Sequence, residues 1–247
     1  MHKHLKPINP TTPKEEFVRQ LEDLILAGRL NPGEKLPPER VLAETMKVSR
    51  PVVHEGLLEL EAKGLITMKP RHGCWINDYR RSGSLELLNA LYRYNRGALE
   101  PHLDEGLEEL RRIILQAASA RLLAMEKGGT EEKQQWTEAL KALKKETEEW
   151  EALETATPEA MAEADFRFYF ALVYHSGNSI FPLLLNSARQ VYIGLLGRFF
   201  SHPGAWQTSG RLKGAFLEAL RRGETEDVRH AVAAMSSYAS YGRKYGE

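Results

Sequence analysis

The chain has 247 residues, long enough for two domains that each bury a core. Lys plus Arg and Asp plus Glu number 34 each, so the net charge is zero; this excludes coating nucleic acid by bulk charge, and any DNA contact must be local. A hydrophobic content of 42% with 28% charged residues excludes wholesale disorder, and one cysteine, Cys74, excludes an intrachain disulfide or a multi-cysteine zinc site, which suits a reducing cytoplasm.

Met1–Pro13 carries basic residues with no apolar run behind them, so it reads as a loose lead-in rather than a secretion signal. From Pro13 to about Arg29, Phe17, Leu21, Leu24, Ile25 and Leu26 recur on one helical face, and Asn31-Pro32-Gly33 then marks a turn. Pro37 and Pro38 open a second helix to about Met46, with Leu42 and Ala43 facing inward. Ser49 is suited to cap a third helix, Arg50 to Lys63, which buries Val53, Leu57 and Leu60 and stops at Gly64. Leu65–Met68 and Cys74–Ile76 read as two strands joined by a turn at Pro70–Gly73.

Beyond Asp78 the pattern turns helical, with helices expected near 84–98, 101–127, 130–152, 158–176, 178–201, 206–222 and 224–245. Gly128-Gly129, Gly177, Gly204 and Gly223 punctuate them, and such short connections predict an antiparallel bundle. The charged 130–151 stretch has a sparse apolar stripe of Trp136, Leu140, Leu143 and Trp150, so it belongs on the outside of that bundle. The longest apolar cluster, around Phe181–Leu185, is far too short to span a bilayer, so a soluble protein with no membrane partner is expected.

Three helices followed by a hairpin is the order of a winged helix-turn-helix, in which the second helix of the pair enters the major groove and the hairpin tip approaches the minor groove. Arg40, Ser49, Arg50 and His54 near the helices, with Lys69, Arg71 and His72 around the wing, are all hydrogen-bond donors in the right places. The stretch "LPPERVLAETMKVSRPVVHEGLLELEAKGLITMKPRHGCWI" resembles the GntR-type winged helix. The likeness runs through Pro37-Pro38-Glu39-Arg40, Leu42-Ala43, Val48-Ser49-Arg50, Val53-His54-Glu55-Gly56-Leu57, Leu60-Glu61, Lys63-Gly64-Leu65 and His72-Gly73. It implies that Arg40 and Arg50 contact guanines or nearby phosphates, Ser49 a phosphate, and Arg71, His72 and Gly73 the minor groove. Two departures stand out. His54 replaces the usual arginine, and Lys47 replaces a common turn glycine, which asks a non-glycine residue to carry modest strain.

The helical remainder resembles the effector domain of the FadR branch of that family, most clearly in "ADFRFYFALVYHSGNSIFPLLLNSARQVYIGLLGRFFSHP", residues 164–203. Many relatives hold a divalent metal with one Asp and three His. Asp165 matches the acid, but Tyr169, Lys213 and Met235 stand at the histidine positions, which argues against such a site, and Lys213 becomes a candidate partner for Asp165. His102, His175, His202 and His230 show no ligand-like spacing and default to surface roles. The same resemblance implies an acyl-CoA-type effector with no resident cofactor. Arg111, Asp165, Tyr192, Arg198 and Phe199 would be its ligand-binding residues, and Phe168 and Phe200 could line the acyl chain.

The expected protein is therefore mainly α. A winged helix-turn-helix spans 1–78, a linker and the first bundle helix 79–100, and an all-α ligand-binding and dimerisation domain 101–247. The function expected is a homodimeric transcriptional regulator released from double-stranded operator DNA by a fatty acyl-CoA or related acyl ligand. The alternative effector is a small organic acid or sugar acid, with or without a metal. An enzyme is not expected: there is no phosphate-binding glycine loop or nucleophile elbow, and Cys74 sits in the wing rather than beside a base.

Overall fold

The computed structural model describes residues 12–153 and 155–244, with side chains described through Ser236. The lead-in expected before Thr12 lies outside the described residues. The chain divides into two compact units between Arg96 and Gly97.

The first unit begins with α1 (Pro13–Leu26), where Thr12 and Glu15 form a reciprocal capping box: each side chain accepts from the other's backbone N–H. Helices α2 (Glu39–Met46) and α3 (Arg50–Ala62) follow. Phe17, Leu21 and Ile25 of α1 and Val53, Leu57 and Leu60 of α3 are all buried where the two helices pack. Gly56 makes that approach possible, because a Cβ there would lie 2.4 Å from Phe17 Cδ1. Gly56→Ala should therefore destabilise this unit by roughly 1–3 kcal/mol through overpacking, even though alanine is the better helix former by about 1 kcal/mol. A thermal melt checks it, and a raised midpoint would show that Phe17 has room to move.

The turn between α2 and α3 places Lys47 in the left-handed region at φ 55°, ψ 42°. The strain expected for a non-glycine residue is thus present, at about 1 kcal/mol or more. Gly64 ends α3 at φ 77°, and a Cβ there would sit 2.0 Å from the Ser82 carbonyl oxygen, so glycine is required on both counts. Strands β1 (Ile66–Lys69) and β2 (Gly73–Ile76) pair antiparallel, Ile66 with Ile76 through Lys69 with Gly73. The segment before α2 also lies along β2: Leu36 N–H donates to Cys74 O and Ile76 N–H to Glu34 O, both at 2.9 Å.

Two short helices complete the unit, α4 (Tyr79–Ser82) and α5 (Leu87–Tyr94). The sequence pattern predicts a helix at 84–98 that opens the bundle; the structure instead packs α5 on α1, with Leu87, Ala90 and Leu91 buried. The reason is a polar anchor invisible to periodicity. Glu22 is buried and accepts from Lys63 Nζ at 2.8 Å and from Arg93 Nη2 on α5. A buried carboxylate is tolerated when cations satisfy it in this way.

The second unit contains seven helices among the described residues: α6 (Pro101–Glu126), α7 (Thr130–Glu151), α8 (Pro158–His175), α9 (Ile180–Ser187), α10 (Arg189–Phe200), α11 (Ala205–Arg222) and α12 (Thr225–Lys244). Helix α8 is its centre, packed against α6, α7, α9 and α10, with Ala162, Phe168, Leu172 and Val173 fully buried. Helix α7 keeps its charges in solvent and buries Trp136, Ala139, Leu143 and Trp150, as an outer helix with one apolar stripe should. One expectation is corrected: the single helix over 178–201 is two, broken at Ala188, where φ is −97° and ψ is 2°. Ser187-Ala188-Arg189 contains neither glycine nor proline, so nothing local announces the break. Among the described residues, no helix is long and apolar enough to cross a membrane.

Candidate functional site

Two sets of candidate functional side chains stand in the structure, one in each unit. In the first unit the expected DNA contacts stand on three exposed features. Arg40 is the second residue of α2 and ion-pairs with Glu44 at 2.7 Å. Ser49 is the N-cap of α3 in an extended conformation, without a side-chain capping bond, which leaves its hydroxyl available for an external acceptor. Arg50, the first residue of α3, is exposed and has no ion-pair partner among the described residues. His54 lies one turn on, exposed, with Nδ1 2.9 Å from Glu39 Oε1. The wing tip carries Arg71, His72 and Gly73, all exposed, with Arg71 at φ 63° and Gly73 at φ 96°. Two charged neighbours of these residues were not singled out in the sequence: Glu39, which reaches from α2 to His54, and Lys35, whose Nζ lies 5.6 Å from the ring of Trp75 on β2. The Glu39 signal was legible as an acid preceding Arg40, but its partner 15 residues away was not.

In the second unit the centre of the site is Asp165 on α8, which is buried. Its Oδ2 accepts from the Tyr192 hydroxyl at 2.5 Å, and its Oδ1 from Lys213 Nζ at 2.5 Å and Ser209 Oγ at 3.3 Å. Lys213, fully buried on α11, also donates to Ser209 Oγ at 2.7 Å and lies 3.4 Å above the Trp150 ring centroid. Trp150 in turn stacks on Trp206, with ring centroids 3.9 Å apart. The Arg111 guanidinium covers the rings of Tyr169 at 4.4 Å and Tyr192 at 5.4 Å, which is cation–π geometry.

Burial pushes the Lys213 ammonium down to about 8, against the pull of Asp165. Burial also works against the Arg111 charge, but Tyr192, Tyr169 and Asp165 outweigh it and raise the pKa, so Arg111 is a permanent cation. The Tyr169 and Tyr192 phenols are raised by burial, and both remain protonated at neutral pH. One carboxylate thus faces two cations in the core.

The residues do not suit a divalent metal. Lys213 already donates to Asp165, Tyr169 holds its proton, and Met235 is a soft thioether in the core. Among the described residues, no three His, Cys, Asp or Glu side chains converge.

Arg111 and Tyr192 also line a cleft whose walls are mostly apolar, including Leu107, Leu184, Leu195 and Leu196. The cleft encloses about 40 Å³, and the Arg111 Nε buried there has no hydrogen-bond partner. The expected ligand residues therefore separate. Arg111, Asp165 and Tyr192 come together, while Arg198 is exposed on α10 and does not line the cleft. Six residues from Tyr192 turn a side chain by roughly 240°, which carries Arg198 off that face. Phe199 stays on the Tyr192 stripe but is buried in the core with its ring 5.0 Å from Phe200, and Phe168 is likewise core; leucines, not phenylalanines, line the cleft. Ser209 was missed, although its spacing of four from Lys213 on one helix was a readable signal.

The profile of the gntR family of bacterial regulatory proteins matches residues 13–76, and that of the FadR C-terminal domain matches residues 77–243. The chain belongs to the gntR family, with a FadR-type C-terminal domain. The HTH-type transcriptional regulator Mce2R of Mycobacterium tuberculosis is 30% identical over 188 residues, 76% of this chain and 73% of that protein. The fatty acid metabolism regulator protein of Pectobacterium carotovorum subsp. carotovorum is 28% identical over 242 residues, 98% of this chain and 91% of that protein. The Uxu operon transcriptional regulator of Escherichia coli K12 is 29% identical over 178 residues, 72% of this chain and 64% of that protein. A solved structure of Lar, which controls expression of the Listeria monocytogenes agr system, superposes with a TM-score of 0.62 at 18% identity, covering 96% of this chain and all of that one. As a GntR regulator with a FadR-type domain, the protein is a transcription factor and not an enzyme, and the winged helix is its DNA reader.

Proposed function

We propose that this GntR regulator is released from its operator when a fatty acyl-CoA or related acyl ligand enters the helical domain. The observation that carries this is the Arg111 Nε, buried without a hydrogen-bond partner in a mostly apolar, leucine-rich cleft, with Asp104 and Glu108 also in its wall. A buried guanidinium N–H left unpaired costs free energy, and an oxygen of a bound ligand would satisfy it while the leucines take an alkyl chain. The full-length likeness to fatty acid metabolism regulators supports the same choice. At about 40 Å³ the cleft has room for only a few waters, so an acyl chain must part its walls. Leu184, Leu185 and Ala188 place one wall at the α9–α10 break, where a hinge motion costs least. A ligand that binds the opened cleft better shifts the population of the domain and, by linkage, operator affinity. The working form in this reading is a cytoplasmic homodimer on a two-part operator.

The expected result is that long-chain acyl-CoA esters, titrated into a mobility-shift assay on the DNA upstream of the gene, release the protein at micromolar concentrations while free CoA does not. Release by no acyl-CoA of any chain length would discard this effector. The small enclosed volume favours the second reading, a small organic or sugar acid held by Arg111. Such acids are the other arm of the titration.

A further inference from the structure

The recognition helix carries a histidine whose ring is held from another helix. His54 is the fifth residue of α3, and its Nδ1 lies 2.9 Å from Glu39 Oε1 at the start of α2. An ionised carboxylate can only accept, so the proton between them belongs to Nδ1. In the neutral ring Nε2 is then a bare acceptor on a side chain that is 52% exposed. In the major groove, adenine N6 and cytosine N4 are amino donors, whereas guanine N7 and O6 and thymine O4 are acceptors. The arginine usual at this position in the family is a donor only and matches guanine.

We propose that His54, held by Glu39 in its Nδ1–H form, is a specificity-determining residue that selects an amino-bearing base, adenine or cytosine, on the strand it faces. Glu39 is the positioning residue, acting through the imidazole rather than on DNA. The inference rests on α3 entering the major groove.

The test is selection of bound duplexes from a randomised library at pH 8 with full-length wild type, His54→Arg and Glu39→Ala. The wild type should enrich adenine or cytosine at one position of the site, and His54→Arg should convert that position to guanine. Glu39→Ala lets the proton move to Nε2, so discrimination at that position alone should fall about fivefold, near the lower end of a single base-pair mismatch. A purely structural role for Glu39 would weaken all positions together or none. Wild-type enrichment of guanine or thymine at the position that responds to His54→Arg would overturn the proposal, as would an unchanged preference in Glu39→Ala. If the wild type enriches no site while a melt shows it folded, the reader assignment fails first and the proposal with it.

Discussion

Replacing Arg50 with alanine is expected to lower operator affinity by roughly one to two orders of magnitude, the size of a lost arginine base contact, while leaving the helix content unchanged. Arg50 begins α3, directly after the extended Ser49, at the end of the helix expected to enter the groove. It is exposed and has no ion-pair partner among the described residues, so its removal breaks nothing that holds the fold. Arg40 makes the contrast. It must leave Glu44 before it can reach DNA, and an exposed pair of that kind is worth about 0.5 kcal/mol, so Arg40→Ala loses less net contact energy. With the chain's net charge at zero, a few placed arginines have to supply specificity, and a phosphate-only role for Arg50 would instead flatten the salt slope by about one unit. Anisotropy titrations at several salt concentrations, with circular dichroism as the fold control, separate these outcomes. Unchanged operator affinity would sink the assignment of α3.

The second large effect is on stability. Lys213→Met should destabilise the helical domain by about 3–5 kcal/mol, because it leaves Asp165 buried and charged with only hydroxyl donors. Pairing it with Asp165→Asn should recover most of that loss, since the amide oxygen still accepts from Tyr192. Urea unfolding of the single and double variants measures the coupling, and additive losses would mean that the ion pair contributes nothing as a pair. The pair also has a pH signature. The folded Lys213 titrates near 8 against an ordinary 10.5, so between those values the unfolded chain binds more protons, and stability from this group rises with pH across the window. The raised Tyr169 and Tyr192 pull the other way above pH 10, where the unfolded phenols ionise first. The tyrosine contributions are present in Lys213→Met as well, and only the lysine's own is missing. The difference between wild type and variant should therefore change steadily from pH 8 to pH 10.

The DNA reader was legible because its determinants are local. Ser49 at the helix start, the Val53, Leu57 and Leu60 spacing, the Gly64 stop and the hairpin all act within a few residues of one another, and the structure reproduces those positions, although Ser49 makes no side-chain capping bond. The helical domain was legible as a set of helices because its glycines and period-3.6 stripes are also local signals. The α9–α10 break at Ala188 and the assignment of α5 to the first unit were not: no glycine or proline marks the break, and α5 is placed by its packing on the distant α1.

The proposed effector site shows the same division. Sequence alone named Arg111, Asp165, Tyr192 and a candidate Lys213 partner, because residue types at matching motif positions carry chemistry whatever their surroundings. Only the tertiary structure decided that Arg198 stands outside the cleft, that Ser209 and Trp150 complete the Lys213 environment, and that Glu39 holds His54. Helical periodicity predicts which face a residue occupies but not which helix lies opposite it. Burial, proton placement and the charge left over in the core depend on that neighbour.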